Sequence, residues 1–365
     1  MKKVLLIAND TTYVYNLRRE LISALIGAGY EVSAACSVLL HAEELEALGC
    51  RLIPVSVARQ GKNPFKDLTL YREYKKILKR ERPDVALTYN IKPNVWGGMA
   101  CKRYGIRYVP NITGLGTAVE YPGIMQKITT RLYRMGLKKA DAVMFQNSEN
   151  LAFFEKRKLL SKNTATVLLP GSGVNLEEHG YADYPGEGAV HFLFVGRALK
   201  EKGTDLYLRL AKEIKAEYPD TVFHICGACD DPRYLSIYRE AEEEGTIVYH
   251  GEQKQMTPHF VAAHCVVHPT YYPEGMSNVL LEAAATGRPI VTTNRSGCRE
   301  IVDDGVNGYV VPTNDYDALL AATKRFLSLT PAERAEMGKR GREKVEREFD
   351  RKIVVDRYFE VIANE

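Results

Sequence analysis

Two cations and two carboxylates are the side chains of this sequence best placed to do chemistry. Arg197 and Lys202 stand five apart in Gly196-Arg197-Ala198-Leu199-Lys200-Glu201-Lys202-Gly203. Arginine offers a planar fork of donors and lysine a point charge, and both flank the start of a helix, so the pair makes a workable diphosphate clamp. Gly196 permits close approach to the strand end before it. Glu274 and Glu282 are the ends of Glu274-Gly275-Met276-Ser277-Asn278-Val279-Leu280-Leu281-Glu282. Glu282 sits on a helix otherwise made of Val279, Leu280, Leu281, Ala283, Ala284 and Ala285, so it is expected to face a cleft or a partner. Such a carboxylate can accept hydrogen bonds from hydroxyls, as an acidic residue does with a ribose. Against this stands the plainer possibility of two solvated helix-end carboxylates.

The elements around these residues are those of an open parallel sheet. His191 to Val195 is a buried strand that delivers the clamp, and a helix follows from Thr204. Val266 to Pro269 ends another strand and delivers Thr270 to Glu274, with His268 read as structural. Gly275 turns the loop, a helix begins near Met276, and Ser277 and Asn278 suit its capping end, where free N–H groups point outward. Gly287-Arg288-Pro289 stops that helix before the strand Pro289 to Thr292. Ligands of such sheets sit at strand carboxyl ends and anions at helix N-termini. Phe223 to Gly227 and Ile247 to Gly251 read as further strands. From Asp315 the chain reads as helical, and Asp350 to Ile362 as a terminal helix.

The first half repeats the theme. Strand Val4 to Ala8, the polar turn Asn9-Asp10-Thr11-Thr12, helix Asn16 to Gly27, strand Gly29 to Ala35, helix His41 to Leu48 and strand Arg51 to Val55 open a doubly wound α/β domain. Strands Val85 to Tyr89, Arg107 to Ile112 and Ala142 to Phe145 follow. The second of these ends in Thr113-Gly114-Leu115-Gly116, whose glycines leave backbone N–H groups accessible. The first loop lacks the GxGxxG fingerprint, so no dinucleotide cofactor is indicated. Tyr181 to Gly188 is rich in Gly, Pro and acidic residues and reads as a linker. The fold class is therefore α/β, two Rossmann-like doubly wound domains: residues 1–180 and 189–349.

Composition removes several alternatives. The chain has 365 residues, 45% hydrophobic and 26% charged, with a net charge of +4, so nothing points to nucleic acid. No apolar run reaches the ~18 residues of a membrane span, and the run after Lys3 is shorter than the ~7 of a signal-peptide core. Seven scattered cysteines suggest free thiols in a reducing cytoplasm. Cys226-x-x-Cys229 lacks a second ligand pair, so no metal site is expected there. Two stretches are basic and amphipathic. Asp67 to Arg80 carries Arg72, Lys75, Lys76, Lys79 and Arg80. Tyr121 to Lys139 carries Lys127, Arg131, Arg134, Lys138 and Lys139 among Ile124, Ile128, Leu132 and Met135. Such faces are either solvated or lie on an anionic membrane surface.

The stretch from Glu274 to Glu282 resembles the signature of the retaining nucleotide-sugar glycosyltransferases of family 4, which have the GT-B fold. The resemblance continues through Ala283-x-Ala285-x-Gly287-x-Pro289, Gly297-Cys298-Arg299-Glu300, Asp304-Gly305-x-Asn307-Gly308 and Val311-Pro312. Gly196 to Gly203 is similar to that family's diphosphate motif, and the resemblance covers essentially the whole chain. It implies a UDP-sugar donor, with Glu282 on the ribose, Glu274 by the donor sugar or the reacting centre, and Arg197 and Lys202 on the diphosphate. Gly196, Gly275, Met276, Ser277 and Asn278 complete the expected donor site. Glu274, Arg197 and Lys202 are the expected catalytic residues. The clamp would neutralise charge on the leaving nucleoside diphosphate, so no metal and no other cofactor is required. The resemblance also implies a cleft between the domains and a terminal helix, 350–365, that packs back on the first.

Lys92-Pro93-Asn94 and Thr113-Gly114-Leu115-Gly116 look like the branch of family 4 that builds capsule, O-antigen or N-glycan precursors on polyprenyl diphosphate. Asn9, Thr11, Thr12, Arg18, Lys92, Asn94, Thr113, Gly114, Leu115 and Gly116 are accordingly expected on the acceptor side. Arg18 is weighed equally as a solvated helix residue. Many family members carry a histidine where this chain has Thr113, so no histidine role at the reacting carbon is assigned. The expected setting is the cytoplasmic side of the membrane, in peripheral contact with anionic lipid. The alternatives are a soluble acceptor, a GT-B UDP-sugar epimerase and a non-catalytic nucleotide-sugar-binding module. The joint presence of Arg197, Lys202, Glu274 and Glu282 argues against the last. A pyridoxal-phosphate phosphorylase needs a lysine and a length that this chain does not offer.

Overall fold

A computed structural model describes residues 1–56, 64–120 and 122–363. It divides into two compact units. The first holds Met1–Ser172, Glu274–Met276 and Arg351–Glu365; the second holds Gly173–Pro273 and Ser277–Asp350.

The first unit is a parallel sheet of β1 (Lys3–Asp10), β2 (Glu31–Ser37), β3 (Arg51–Pro54), β4 (Val85–Tyr89), β5 (Arg107–Ile112), β6 (Ala142–Phe145) and β7 (Ala165–Leu168). Its order is β3-β2-β1-β4-β5-β6-β7. Side chains alternate across the sheet, so Leu5, Ile7, Ala86 and Phe145 enter one core and Val4, Leu6, Leu87 and Met144 the other. Helices cover both faces, which is why β1 and β4 read as continuous apolar runs.

The helix read from Asn16 begins earlier, at Thr11, and runs to Gly27. Asp10 explains the difference, since its carboxylate accepts the Tyr13 N–H at 2.9 Å and caps the first turn. The helix read from Tyr121, which lies outside the described residues, spans Ile124–Leu137. It crosses the Gly98–Tyr104 helix at backbone contact: a Cβ on Gly98 would lie 2.4 Å from the Gly136 carbonyl oxygen. The terminal helix Arg351–Ala363 belongs to this unit. Asn111 Nδ2 donates to the Tyr358 hydroxyl at 2.6 Å, Arg107 donates to the Ile362 carbonyl at 2.8 Å, and Arg351 pairs with Glu20 at 3.0 Å.

The second unit is a parallel sheet of β8 (Val190–Val195), β9 (Thr221–Cys226), β10 (Val248–Tyr249), β11 (Cys265–His268), β12 (Ile290–Thr293) and β13 (Gly308–Val311). Its order is β10-β9-β8-β11-β12-β13. Phe192, Phe194, Phe223, Ile225 and Val267 pack on Tyr207, Leu210 and Ile214 of the Thr204–Glu217 helix. β13 is an element that periodicity did not reveal. It pairs along β12, where a Cβ on Gly308 would meet the Ile290 carbonyl oxygen at 2.1 Å.

The division between units falls at Ser172, ahead of the stretch read as a linker. Tyr181–Gly188 instead lies within the second unit, and its carbonyls are held by a buried arginine. Arg288 donates to the carbonyls of Ala182 and Asp183, the latter at 2.8 Å, and the Tyr184 hydroxyl donates to the His264 carbonyl at 3.1 Å.

Candidate functional site

Each sheet has one place where strand order reverses, between β1 and β4 in the first unit and between β8 and β11 in the second. Loops there diverge to opposite faces and leave a crevice at the strand carboxyl ends. In the second unit the two loops are the ones the sequence singles out: Gly196 to Lys202 after β8, and Pro269 to Pro273 after β11.

Backbone contacts set this crevice. Gly227, with φ +144°, packs on the clamp so closely that a Cβ would lie 2.0 Å from the Gly196 carbonyl oxygen. Gly196 N–H donates to the Cys226 carbonyl at 2.9 Å. Lys202 ends a short 3-10 turn, Lys200–Lys202, and Gly203 follows at φ +84° to start the Thr204–Glu217 helix. A Cβ on Gly203 would lie 2.3 Å from the Pro269 carbonyl oxygen, so only glycine fits where the two loops touch. The loops are joined further by Glu201, whose carbonyl accepts the Tyr271 N–H at 2.9 Å and the Thr270 hydroxyl at 3.2 Å.

The cations differ in setting. Arg197 is exposed and makes no hydrogen bond within the described residues, so its donors remain available. Lys202 is half-buried, and its Nζ lies 5.0 Å from the centre of the Tyr272 ring. Burial holds its pKa down to about 8, and the charge of Arg197 pushes the same way. His268 and Cys298 lie in the same electrostatic neighbourhood. His268 is 1% exposed, stacks on Phe194 with ring centres 5.9 Å apart, and has no hydrogen-bond partner among the described residues for either ring nitrogen. Burial lowers its pKa to about 3, and the Lys202 charge adds to this. Burial raises the Cys298 thiol to about 12.

The Asn278–Ala285 helix starts at Ser277, whose N–H donates to the Gly297 carbonyl at 2.8 Å. Ser277 takes the N-cap position with no side-chain capping bond, so the first-turn N–H groups are not covered by its hydroxyl. Asn278, Val279 and Glu282 are the half-exposed positions of this helix, while Leu280, Leu281, Ala283, Ala284 and Ala285 are buried. Spacings of three and four put those three on one face, so Glu282 shares its face with the helix N-terminus. Glu274, Gly275 and Met276 group with the first unit. There Asn147 Nδ2 donates to the Gly275 carbonyl at 2.6 Å and to that of Glu274 at 3.2 Å. A Cβ on Gly275 would lie 2.5 Å from both the Thr113 carbonyl oxygen and Gln146 Oε1.

The acceptor-side residues sort into two groups. Asn9, Thr12, Thr113, Gly114 and Gly116 are half-buried around the first switch point, with Leu115 buried among them. Asn9 N–H reaches Asn90 Oδ1 at 3.4 Å, and Gly114 and Gly116 hold φ of +138° and +67°. The others have side-chain partners within the first unit. Thr11 accepts from the Leu39 N–H at 2.8 Å and donates to the Leu40 carbonyl at 2.7 Å. Asn94 bridges the Thr88 hydroxyl at 2.7 Å and the Asn111 carbonyl at 2.8 Å. Lys92 pairs with Asp67 at 3.0 Å. Arg18 is 1% exposed, which overturns the solvated reading. Its guanidinium stands 4.7 Å from the Tyr89 ring centre and donates to the Tyr13 hydroxyl at 3.1 Å.

Sequence reasoning missed Gly203, Gly227, Tyr272, Asn147 and Asn90. Asn90, at φ +68° just past β4, is a non-glycine residue in the left-handed region beside a switch point, which the structure alone reveals.

Two doubly wound parallel sheets, one with a cationic loop and a helix N-terminus at its switch point, define the α/β architecture of a GT-B transferase. Residues 185–344 match the model of glycosyl transferases group 1, and residues 3–147 match that of glycosyl transferase 4-like proteins. Each half of the chain thus matches a glycosyltransferase model, and the chain is a glycosyltransferase. It is 26% identical to an N,N'-diacetylbacillosaminyl-diphospho-undecaprenol alpha-1,3-N-acetylgalactosaminyltransferase of Campylobacter jejuni, over 87% of this chain and 84% of that protein. It is 23% identical to the lipopolysaccharide core biosynthesis glycosyltransferase LpsE of Rhizobium meliloti, over 84% of this chain and 85% of that one. Its fold matches that of a sucrose-phosphate synthase from Thermosynechococcus elongatus with a TM-score of 0.79, at 21% identity and over 100% of both chains.

Proposed function

We propose that this glycosyltransferase moves a hexose or N-acetylhexosamine from a UDP-sugar to a glycan acceptor carried on polyprenyl diphosphate, with retention of anomeric configuration. The product would be a precursor of a bacterial surface polysaccharide or glycoprotein glycan. The observation that carries this reading is the second unit's switch point, where Lys202, Arg197 and the Asn278–Ala285 helix N-terminus serve one sheet edge. Exposed Arg197 and depressed-pKa Lys202 take the diphosphate and offset the charge that builds on it as the glycosidic bond breaks. The helix N–H groups add a further anion contact, and Glu282, on the same helix face, accepts from the ribose hydroxyls. Glu274 serves the donor sugar. Neutralisation by side chains makes a metal unnecessary in this scheme. No residue is assigned as a nucleophile.

The lipid-linked acceptor is supported by the names of the two relatives, which act on a diphospho-undecaprenol sugar and in lipopolysaccharide core assembly. The loop from Thr113 to Gly116, with Asn9 and Thr12, would receive the acceptor. No helix among the described residues is long and apolar enough to cross a membrane. Contact with the inner face of the cytoplasmic membrane would therefore be peripheral, through the basic Ile124–Leu137 helix.

A thermal-shift comparison of UDP, GDP, ADP and dTDP tests the donor. Saturation at about 100 times the Kd stabilises by about 2.7 kcal/mol. A selective rise with UDP, followed by transfer from one UDP-sugar to undecaprenyl-diphosphate sugars, is expected. A rise with GDP or ADP alone overturns the donor assignment, and equal transfer to free sugars overturns the acceptor.

A further inference from the structure

We propose that the first unit holds a specific binding pocket for the headgroup of an anionic phospholipid, apart from both switch points. The pocket is a cavity of about 610 Å³. Five cations surround it: Lys102 and Arg103 from the Gly98–Tyr104 helix, Arg134 and Lys138 at the end of the Ile124–Leu137 helix, and Lys158 beyond the Ser148–Lys156 helix. Tyr71, Met99, Met135, Leu159 and Leu160 supply its apolar lining, and no carboxylate of the described residues lines it.

None of the five cations forms an ion pair among the described residues. Arg134 makes one hydrogen bond, to the Arg157 carbonyl at 3.0 Å. Elsewhere on the same unit cations are matched, as in Lys92 with Asp67 and Arg351 with Glu20, both at 3.0 Å. Converging like charges without counter-charges raise the local potential and favour an anion.

Helix C-termini attract cations by about 0.3–1 kcal/mol each, and that accounts for Lys102, Arg103 and Arg134. It does not account for Lys158, which lies past its helix at φ +51°, nor for an apolar lining. A free phosphate gains nothing from Met99, Met135 and Leu159. A phosphate joined to glycerol and acyl chains uses both surfaces.

The surroundings extend the same pattern. Ile124 is 76% exposed and Ile128 46% exposed on the helix that supplies Arg134 and Met135, with Lys127 and Arg131 beside them. Basic residues near an anionic membrane contribute roughly 1 kcal/mol each. The helices that form the pocket follow strands and run back, so their C-termini lie at the sheet edge opposite the strand carboxyl ends. The pocket is therefore removed from the acceptor-side loops. It rests on the proposed function only in placing the protein at a membrane.

The test titrates the full chain by calorimetry with dihexanoyl phosphatidylglycerol below its micelle concentration, with dihexanoyl phosphatidylcholine, and with glycerol 3-phosphate. The anionic lipid should bind at least tenfold more tightly than either other probe. The double variant Lys102→Glu/Lys138→Glu should lose that binding, while Leu160→Asn should weaken the lipid and leave glycerol 3-phosphate unchanged. Equal binding of the two lipids, equal binding of glycerol 3-phosphate, or persistence in the double variant overturns the proposal. The rise in Tm with UDP, read on each variant, reports the fold and keeps this outcome separate from that of the donor site.

Discussion

Lys202 Nζ stands 5.0 Å from the centre of the Tyr272 ring, which brings the loop after β8 onto the loop after β11. A desolvated cation against an aromatic face is attracted by about 0.5–2 kcal/mol. The contact links the proposed diphosphate clamp to the loop that holds Tyr272. Around it, Gly203 closes on Pro269 and the Glu201 carbonyl receives Thr270 and Tyr271, so the two loops form one surface fixed by backbone. Preorganised cations of this kind stabilise charge without rearranging as it appears.

The pKa of Lys202 gives the site a pH dependence. In the proposed donor site UDP binding would use the ammonium, whose pKa in the free protein is lowered to about 8. The cation is therefore nearly complete at pH 7 and is lost as pH rises through 8. Affinity for UDP should be near its plateau at pH 7 and several-fold weaker by about pH 9. Calorimetric titration at both values checks this. Lys202→Arg should flatten the profile, because a guanidinium keeps its charge throughout.

Gly203→Ala should damage fold and site together. The position has φ +84°, and an added Cβ meets the Pro269 carbonyl oxygen at 2.3 Å. Strain of this kind costs about 1–3 kcal/mol. A lowered Tm is expected along with weakened UDP binding, since Lys202 is the preceding residue. Wild-type values for both would show that the loops do not depend on this contact.

His268→Phe should do the opposite for stability. The imidazole is 1% exposed, stacked on Phe194, and has two ring nitrogens without hydrogen-bond partners among the described residues. Removing a buried unsatisfied polar group while keeping the ring recovers about 1–3 kcal/mol. Thermal unfolding should show a higher Tm, and the acid side should change too. The pKa of His268 is lowered to about 3, so the folded state keeps it neutral while the unfolded chain protonates below about 6.5. Its contribution to stability is thus lost as pH falls from about 6.5 toward 3, and the variant should lose less over that window. An unchanged or lower Tm would mean the nitrogens have a role in the native state.

The parts of the site that were legible are those made locally. Strand, glycine and cation follow one another in Phe194 to Lys202, and loop, helix start and carboxylate in Tyr271 to Glu282, so order along the chain already places them. The parts that were not legible depend on backbone meeting backbone across long separations. Nothing near Gly227 says that it must clear the Gly196 carbonyl, and nothing near Asn147 says that it will hold Gly275. Polar residues near strand ends have partners that are likewise distant in sequence. Thr11 donates to the Leu40 carbonyl and Asn94 to that of Asn111. Arg18 could be read equally as a cleft or a solvated residue because its aromatic cage comes from Tyr89 and Tyr358, far along the chain. The run Tyr181–Gly188 has the composition of a linker, and the buried Arg288 fixes it to the second unit.

The most direct measurement compares affinities for UDP and for uridine, in the wild type and in Arg197→Ala/Lys202→Met. The difference between the two ligands isolates the diphosphate. Charge-assisted contacts are each worth about 1.5–3 kcal/mol. UDP should bind the wild type at least a hundredfold more tightly than uridine, and that ratio should collapse to within tenfold in the variant with uridine affinity kept. A ratio that survives the loss of both cations would place the diphosphate elsewhere and contradict the assignment of the donor site.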